Sequence, residues 1–148
     1  MNPLIYTGDL PDYGEIKAEH VSGAVEQMIK DAEAGLARVE NDAAPATWDS
    51  VIETLNTVED GISRVWGPVT HLNMVRNEPA LRDAYQAAQP KVVALGLKMG
   101  QSAPLYAKYR TIKDGPEWAK LDAAQRRALD KRILGAKLSG IALEGAAK

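Results

Sequence analysis

The chain of 148 residues contains no cysteine and no phenylalanine. The absence of cysteine excludes a disulfide-stabilised scaffold, a thiolate metal site and a cysteine nucleophile. Because phenylalanine is missing too, the core has to be built from aliphatic side chains, three Trp and five Tyr. No apolar run approaches the roughly 20 residues that span a bilayer, and residues 1–17 lack the basic start and apolar stretch of a signal peptide. We therefore expect a cytoplasmic protein without a membrane partner.

The length of the chain favours one domain, residues 1–148, large enough to bury a core of its own. The formal net charge of −2 conceals an asymmetry, since residues 1–100 contain 8 Lys/Arg and 15 Asp/Glu whereas residues 101–148 contain 10 and 5. Either the two parts of the chain face each other, or the basic part meets an acidic protein surface or nucleic acid. We favour an arrangement in which the two parts face each other or the basic part faces another acidic domain, because net charge influences association rather than fold.

Hydrophobic periodicity predicts an all-α fold, an antiparallel bundle or a stack of helical hairpins. Residues 1–16, with two prolines and two glycines, are predicted to form an extended arm whose apolar residues lie against the rest of the protein, and residues 17–148 to be helical. Apolar steps of three and four predict helices over about 18–39, 48–76, 79–99, 105–112 and 123–138. In the last helix, Ala128, Leu129, Ile133 and Leu134 are expected to face inward.

Capping residues and prolines mark where these helices begin or bend. Thr47 is a suitable N-cap, and Asp122 followed by Gln125 has the pattern of a capping box. Pro79 suits a first helical turn, where its missing N–H is not needed. Pro68 falls inside the second helix, and we expect a kink there with the apolar face continuing through it, because proline removes one hydrogen bond and clashes with the preceding turn. Pro90 falls inside the third helix and is expected to bend that helix too.

The two histidines, His20 and His71, are the first candidates for a metal or catalytic site. They are separated by 51 positions, whereas a helical HExxH zinc site needs two histidines four residues apart with a glutamate beside the first. We expect His20 at a helix start, partly exposed. His71 precedes Leu72 of the apolar face, so together with Asn73 we interpret it as a hydrogen-bonded boundary residue rather than a ligand or a base.

The sequence provides little support for other kinds of catalytic or binding site. There is no GxSxG motif, no phosphate-binding glycine loop and no pair of ExxH motifs for two iron ions. Glu59 and Asp60 are neighbours on a helix, so their side chains diverge and are expected to be solvated. The helix with Arg126, Arg127, Lys131 and Arg132, near Tyr106, Tyr109 and Trp118, is the candidate for nucleic acid, although these aromatic residues also suit core positions. We therefore predict no catalytic, cofactor-binding or metal-binding residue in this chain.

Several segments together resemble a known family. The segments "IKAEHVSGAV", "TWDSVIETLNTVEDGISRVWGPVTHLN", "NEPALRDAYQAAQPKV" and "LDAAQRRALDKRILGAKLSGIAL" are similar, in order, to the N-terminal region of the oligopeptidase A branch of the thimet oligopeptidase family. The most specific parts are "GPVTHLN", "LRDAYQ" and "AQRRALD…LSGI". One departure is Ala18, where the family often has proline before Glu-His, which affects only where the first helix begins.

The resemblance implies a zinc-dependent endopeptidase of short peptides, whose N-terminal helices line one wall of a channel. Its HExxH helix and third zinc ligand lie downstream of the region matched here. We therefore expect an inactive N-terminal fragment, with zinc and short peptides belonging to the longer parent and the catalytic part as its partner. Leu138, Ile141 and Leu143 would then lack their usual neighbours and favour self-association. The alternatives are a stand-alone protein-interaction module and, less favoured, a nucleic-acid binder.

Overall fold

The computed structural model of the chain describes residues 2–8 and 10–141, and no strand occurs within these ranges. The helices are α1 (Ala18–Glu40), α2 (Thr54–Val75), α3 (Pro79–Gly100), α4 (Ala103–Asp114), α5 (Glu117–Lys120) and α6 (Ala123–Leu138), and a π-helical segment, Trp48–Glu53, leads directly into α2. The predicted all-α class is therefore confirmed. None of the described helices combines the length and the apolar character that a membrane crossing requires.

The apolar periodicity of the sequence corresponds to the buried faces of the long helices. In α1 the apolar residues that recur at steps of three and four are all buried: Val21, Val25, Met28, Ala32, Leu36 and Val39. In α2 the face continues past Pro68, which is itself buried, to Val69 and Leu72. Both α2 and α3 run through their internal prolines, Pro68 and Pro90, without a break. The continuous apolar face is thus confirmed, and the bends at Pro68 and Pro90 stay predictions.

The predicted helix starts are also observed. Thr47 and Asp122 accept hydrogen bonds from the backbone N–H groups of Ser50 and Gln125, three residues later. The side chains of Ser50 and Gln125 bond back to the N–H groups of the cap residues, so both starts form reciprocal capping boxes. Pro79 is the first residue of α3. Asn77 precedes it with a φ of 48°, a left-handed conformation that asparagine tolerates better than most residues.

Three local features of the structure were not predicted from the sequence. The first turns of the second helix are π-helical, over Trp48–Glu53, which brings the neighbouring residues Val51 and Ile52 both into the core. The short helix α5 was not predicted. Helix α4 begins two residues earlier than expected because Ser102 caps it, its hydroxyl accepting from the N–H of Leu105.

The chain forms two compact units. The first contains the described residues of Met1–Ala34 and Thr57–Leu95. Its buried residues come from the arm (Leu4 and Ile16), from α1, from α2 and from α3 (Leu81, Ala88 and Leu95). The expectation that the arm lies against the protein is correct for Leu4 and Ile16, whereas Ile5, Leu10 and Tyr13 are exposed.

The second unit contains the described residues of Gly35–Asn56 and Gly96–Lys148. Its core consists of Leu36, Val39, Val51, Ile52, Leu55, Leu105, Tyr109, Ile112, Leu121, Leu129 and Ile133. Tyr106, Met99, Trp48 and Trp118 are partly buried against this core. The assignment of residues 1–148 to a single domain stays a prediction.

Helix α6 corrects one part of the sequence analysis. Leu129 and Ile133 are buried as predicted, but Ala128 is exposed and Leu134 is 56% exposed. The reason is geometric, because a helix turns by about 100° per residue and a narrow contact strip through Leu129 and Ile133 leaves their sequence neighbours outside it. Leu138 is 80% exposed, whereas Ile141 is partly buried. Leu143 lies outside the described residues.

Candidate functional site

The segment "GPVTHLN" of α2 holds the residues that the sequence offered as a site. His71 is exposed, and its ring meets the ring of Tyr13 edge-on, with centroids 5.3 Å apart and planes at 63°. The contact is therefore aromatic, whereas the sequence had indicated a hydrogen bond. The side-chain oxygens of Thr70 and Asn73 are buried and have no hydrogen-bond partner among the residues that the structure describes.

Arg64 shows that this face of α2 contacts the N-terminal arm. Its guanidinium carbon lies 4.6 Å from the centroid of the Tyr6 ring, and the same group donates a hydrogen bond to the carbonyl oxygen of Gly8. Arg64 and His71 are seven residues apart, two helical turns, so they share one side of α2. Both side chains contact the arm, at Tyr6 and Tyr13. The structure thus gives His71 a role in packing the arm, a role the sequence did not show.

His20 has a capping role at the start of α1. Its Nδ1 accepts a hydrogen bond of 3.1 Å from the backbone N–H of Lys17, the residue before the helix. The third residue of a helix commonly bonds back to the cap in this way, although glutamate and glutamine usually do so. Its side chain is 24% exposed, and its carbonyl accepts from Asn2 Nδ2 at 2.8 Å. The expectation of a partly exposed histidine at a helix start is confirmed.

The described residues hold no group of three or more His, Cys, Asp or Glu side chains placed to bind a metal ion. A catalytic zinc ion needs three protein ligands around one open position. The zinc chemistry that the family resemblance implies therefore has no ligand set in residues 2–8 and 10–141.

The carboxylates with perturbed protonation belong to ion pairs. A hydrogen bond from Lys91 (Nζ to Oε1, 3.2 Å), aided by Ser22, lowers the pKa of Glu26. Lys120, at 3.0 Å, and the backbone N–H of Trp48 lower the pKa of Glu117. Carboxyl groups with a lowered pKa are ionised at neutral pH and make poor proton donors, so neither glutamate suits a general acid.

Glu59 and Asp60 are both exposed on α2, as the sequence predicted. Adjacent residues on a helix point about 100° apart, which prevents the two carboxylates from acting on one substrate atom. They have the character of a solvated helix face.

The basic helix α6 is only partly available for nucleic acid. Arg126 donates to the carbonyl oxygens of Trp118 and Ala119, at 3.1 and 3.2 Å, and Arg132 donates to Asn56 Oδ1 at 3.0 Å. Arg127 and Lys131 are exposed. Two of the four cationic side chains, Arg126 and Arg132, thus form hydrogen bonds within the protein.

The aromatic residues beside α6 also belong to the interior. Tyr109 is 5% exposed, and Tyr106 and Trp118 pack against the core of the second unit. Single-stranded nucleic acid needs exposed aromatic faces on which bases can stack. The arrangement of these three residues does not provide such a platform.

Comparison with known proteins finds matches over nearly the whole chain. The family model described as the neurolysin/thimet oligopeptidase N-terminal domain matches residues 25–148. The chain is 38% identical to oligopeptidase A of Escherichia coli over 142 residues, which cover 96% of this chain and 21% of that protein. It is 36% identical to a probable cytosolic oligopeptidase A of Arabidopsis thaliana over 143 residues, which cover 97% and 20%.

A third relative is the organellar oligopeptidase A of Arabidopsis thaliana, named as chloroplastic or mitochondrial. It is 35% identical over 143 residues, covering 97% of this chain and 18% of the relative. The chain therefore spans about a fifth of the length of the curated relatives it matches.

Proposed function

This chain belongs to the neurolysin/thimet oligopeptidase family, and we propose that it is the N-terminal, non-catalytic helical region of a zinc-dependent oligopeptidase that cleaves short peptides. The observation that supports this proposal is the pattern of coverage. The relatives align with 96–97% of this chain but with only 18–21% of their own length. This coverage supports a proposal in which the chain contributes one part of a larger polypeptide and the peptidase chemistry belongs to the remainder.

The role we propose for this region is to form part of the wall of a substrate channel and to dock on the catalytic part. Helices with one buried and one solvated face suit such a wall, because they supply a rigid surface without reactive groups. The whole sequence has no HExxH motif. Zinc and the general base are accordingly assigned to the remainder of the polypeptide, and short peptides are its substrates.

A quenched fluorescent peptide tests this proposal. The full-length polypeptide should cleave it, lose activity on chelation and regain activity with zinc. The 148-residue chain alone should not raise the rate above that of buffer. Chelator-sensitive turnover by the short chain would overturn the non-catalytic role.

The reading frame after Lys148 separates this proposal from a stand-alone interaction module. Continuation to an HExxH motif supports the oligopeptidase, whereas a natural stop codon at that point favours the module.

We also propose a cytoplasmic location, in line with the relative named cytosolic. Fractionation checks it, and recovery in an organelle, for which the organellar relative is a precedent, would contradict it.

A further inference from the structure

Helix α6 presents a continuous outward strip formed by Arg127, Lys131, Leu134 and Leu138, here called the α6 outer strip. The four positions are separated by four, three and four residues, so they align along one face of the helix. Leu134 is 56% exposed and Leu138 is 80% exposed, and both cations are exposed. The strip therefore combines a cationic half and an apolar half on a helix whose other side is already buried.

The charge of α6 argues against a second copy of the same helix as the occupant of this strip. The helix contains five cationic residues, Arg126, Arg127, Lys131, Arg132 and Lys137, and one carboxylate, Asp130. Lys113 pairs with that carboxylate. Two copies of α6 packed together would therefore bring two strongly cationic helices side by side, and this like-charge repulsion disfavours association. The surface that complements the strip is apolar and bordered by carboxylates.

We propose that the α6 outer strip docks onto an apolar, carboxylate-bordered surface of the remainder of the oligopeptidase polypeptide. This inference rests on the proposed function, because it takes its partner from the polypeptide that surrounds this region in the relatives. About four fifths of the E. coli relative lies outside the aligned part, which covers 21% of it. Leu134 and Leu138 form the apolar centre of the contact, and Arg127 and Lys131 meet the carboxylates.

Thiol labelling of the full-length polypeptide tests the docking directly. Because residues 1–148 contain no cysteine, Leu134→Cys and Leu138→Cys each introduce one thiol at a known place in this region. Lys120→Cys is the control, since the Lys120 side chain is 71% exposed and lies outside the strip. Maleimide labelling is followed by mass spectrometry of the peptides. We expect the thiols of Leu134→Cys and Leu138→Cys to react at least about tenfold more slowly than the control thiol, and all three to react alike in denaturant.

The cationic half of the strip is tested in the same polypeptide. Adding Lys131→Glu to Leu138→Cys should raise the labelling rate of the introduced thiol, because a carboxylate would then face carboxylates. Lys131→Arg keeps the charge and should leave the rate unchanged.

Hydroxyl-radical footprinting of the unmodified polypeptide avoids any effect of the introduced thiols. Leu134 and Leu138 should be protected from oxidation relative to Leu10, which is 83% exposed.

The outcomes distinguish this inference from the proposed function. If the full-length polypeptide is an active peptidase and the thiol of Leu138→Cys reacts as fast as that of Lys120→Cys, the docking is wrong and the proposed function stands. If the reading frame ends at Lys148, both are wrong. Protection that is present only after DNA or anionic vesicles are added would overturn the docking as well, since it would assign the strip to a nucleic acid or a membrane.

Discussion

Among single residues, Ser102 makes two polar side-chain contacts in the second unit. Its hydroxyl accepts from the N–H of Leu105 at 3.1 Å and donates to Glu40 Oε1 at 2.6 Å, so it joins the start of α4 to the end of α1. The residue is 8% exposed. We expect Ser102→Ala to lower the free energy of unfolding by about 1–2 kcal/mol, because a helix cap and a charge-assisted hydrogen bond are both lost.

Urea unfolding followed by circular dichroism measures the effect of Ser102→Ala. Ser63→Ala is the matched control, because Ser63 is exposed on α2, and it should change stability by less than about 0.5 kcal/mol. Ser102→Asn retains a capping oxygen and should recover part of the loss. Equal stability of the two alanine variants would show that the contacts of Ser102 contribute nothing.

Glu117 makes a contact whose strength depends on pH. Its carboxylate accepts from Lys120 and from the N–H of Trp48, which together lower the pKa of Glu117. A group with a lowered pKa in the folded state stabilises the fold above its ordinary pKa, and this stabilisation is lost as the pH falls through the lowered value. Glu117→Gln should therefore be less stable than the parent at pH 7, with the difference shrinking in acid. A difference that grows as the pH falls would contradict the assigned contacts.

At the scale of elements, the N-terminal arm contains both buried and exposed apolar residues. Leu4 is 1% exposed whereas Leu10 is 83% exposed. Leu4→Ala should lower the free energy of unfolding by about 2–5 kcal/mol, because it removes a buried side chain and leaves a cavity. Leu10→Ala, a chemically identical change in the same arm, should alter it by less than about 0.5 kcal/mol. Urea unfolding compares the two, and similar losses would mean that the arm does not pack as described.

The elements show what periodicity does and does not predict. The faces of α1, α2 and α3 follow from steps of three and four residues, because burial of an apolar strip stabilises these long helices. The π-helical turns at Trp48–Glu53 could not be predicted in this way, because two adjacent buried residues, Val51 and Ile52, give no periodic signal. The cap at Ser102 had a signal that was overlooked, namely a serine followed by Pro104 in the first turn.

At the scale of the whole molecule, family membership could be predicted from the sequence because unusual residues recur in order, such as the proline of "GPVTHLN". The local role of His71 could not, because its partner Tyr13 lies 58 positions earlier in a segment without periodicity. The contacts of Arg64 with Tyr6 and Gly8 of the arm could not be predicted from the sequence for the same reason. Long-range contacts to an irregular arm follow from the packed structure, and the sequence carries no local signal for them.

The same contact leads to a prediction for the full-length oligopeptidase that we propose. His71→Ala removes one edge-on ring contact with Tyr13, of a kind that contributes about 1 kcal/mol. In a polypeptide of which this chain is about a fifth, the melting temperature should therefore fall by about one degree. The zinc content, measured by atomic emission on the purified protein, should not change, because His71 lies in no metal-binding group of the described residues. Tyr13→Ala should produce the same fall, and the double variant should add little to either, since both changes remove one shared contact. A variant that loses zinc at an unchanged melting temperature would instead make His71 a ligand.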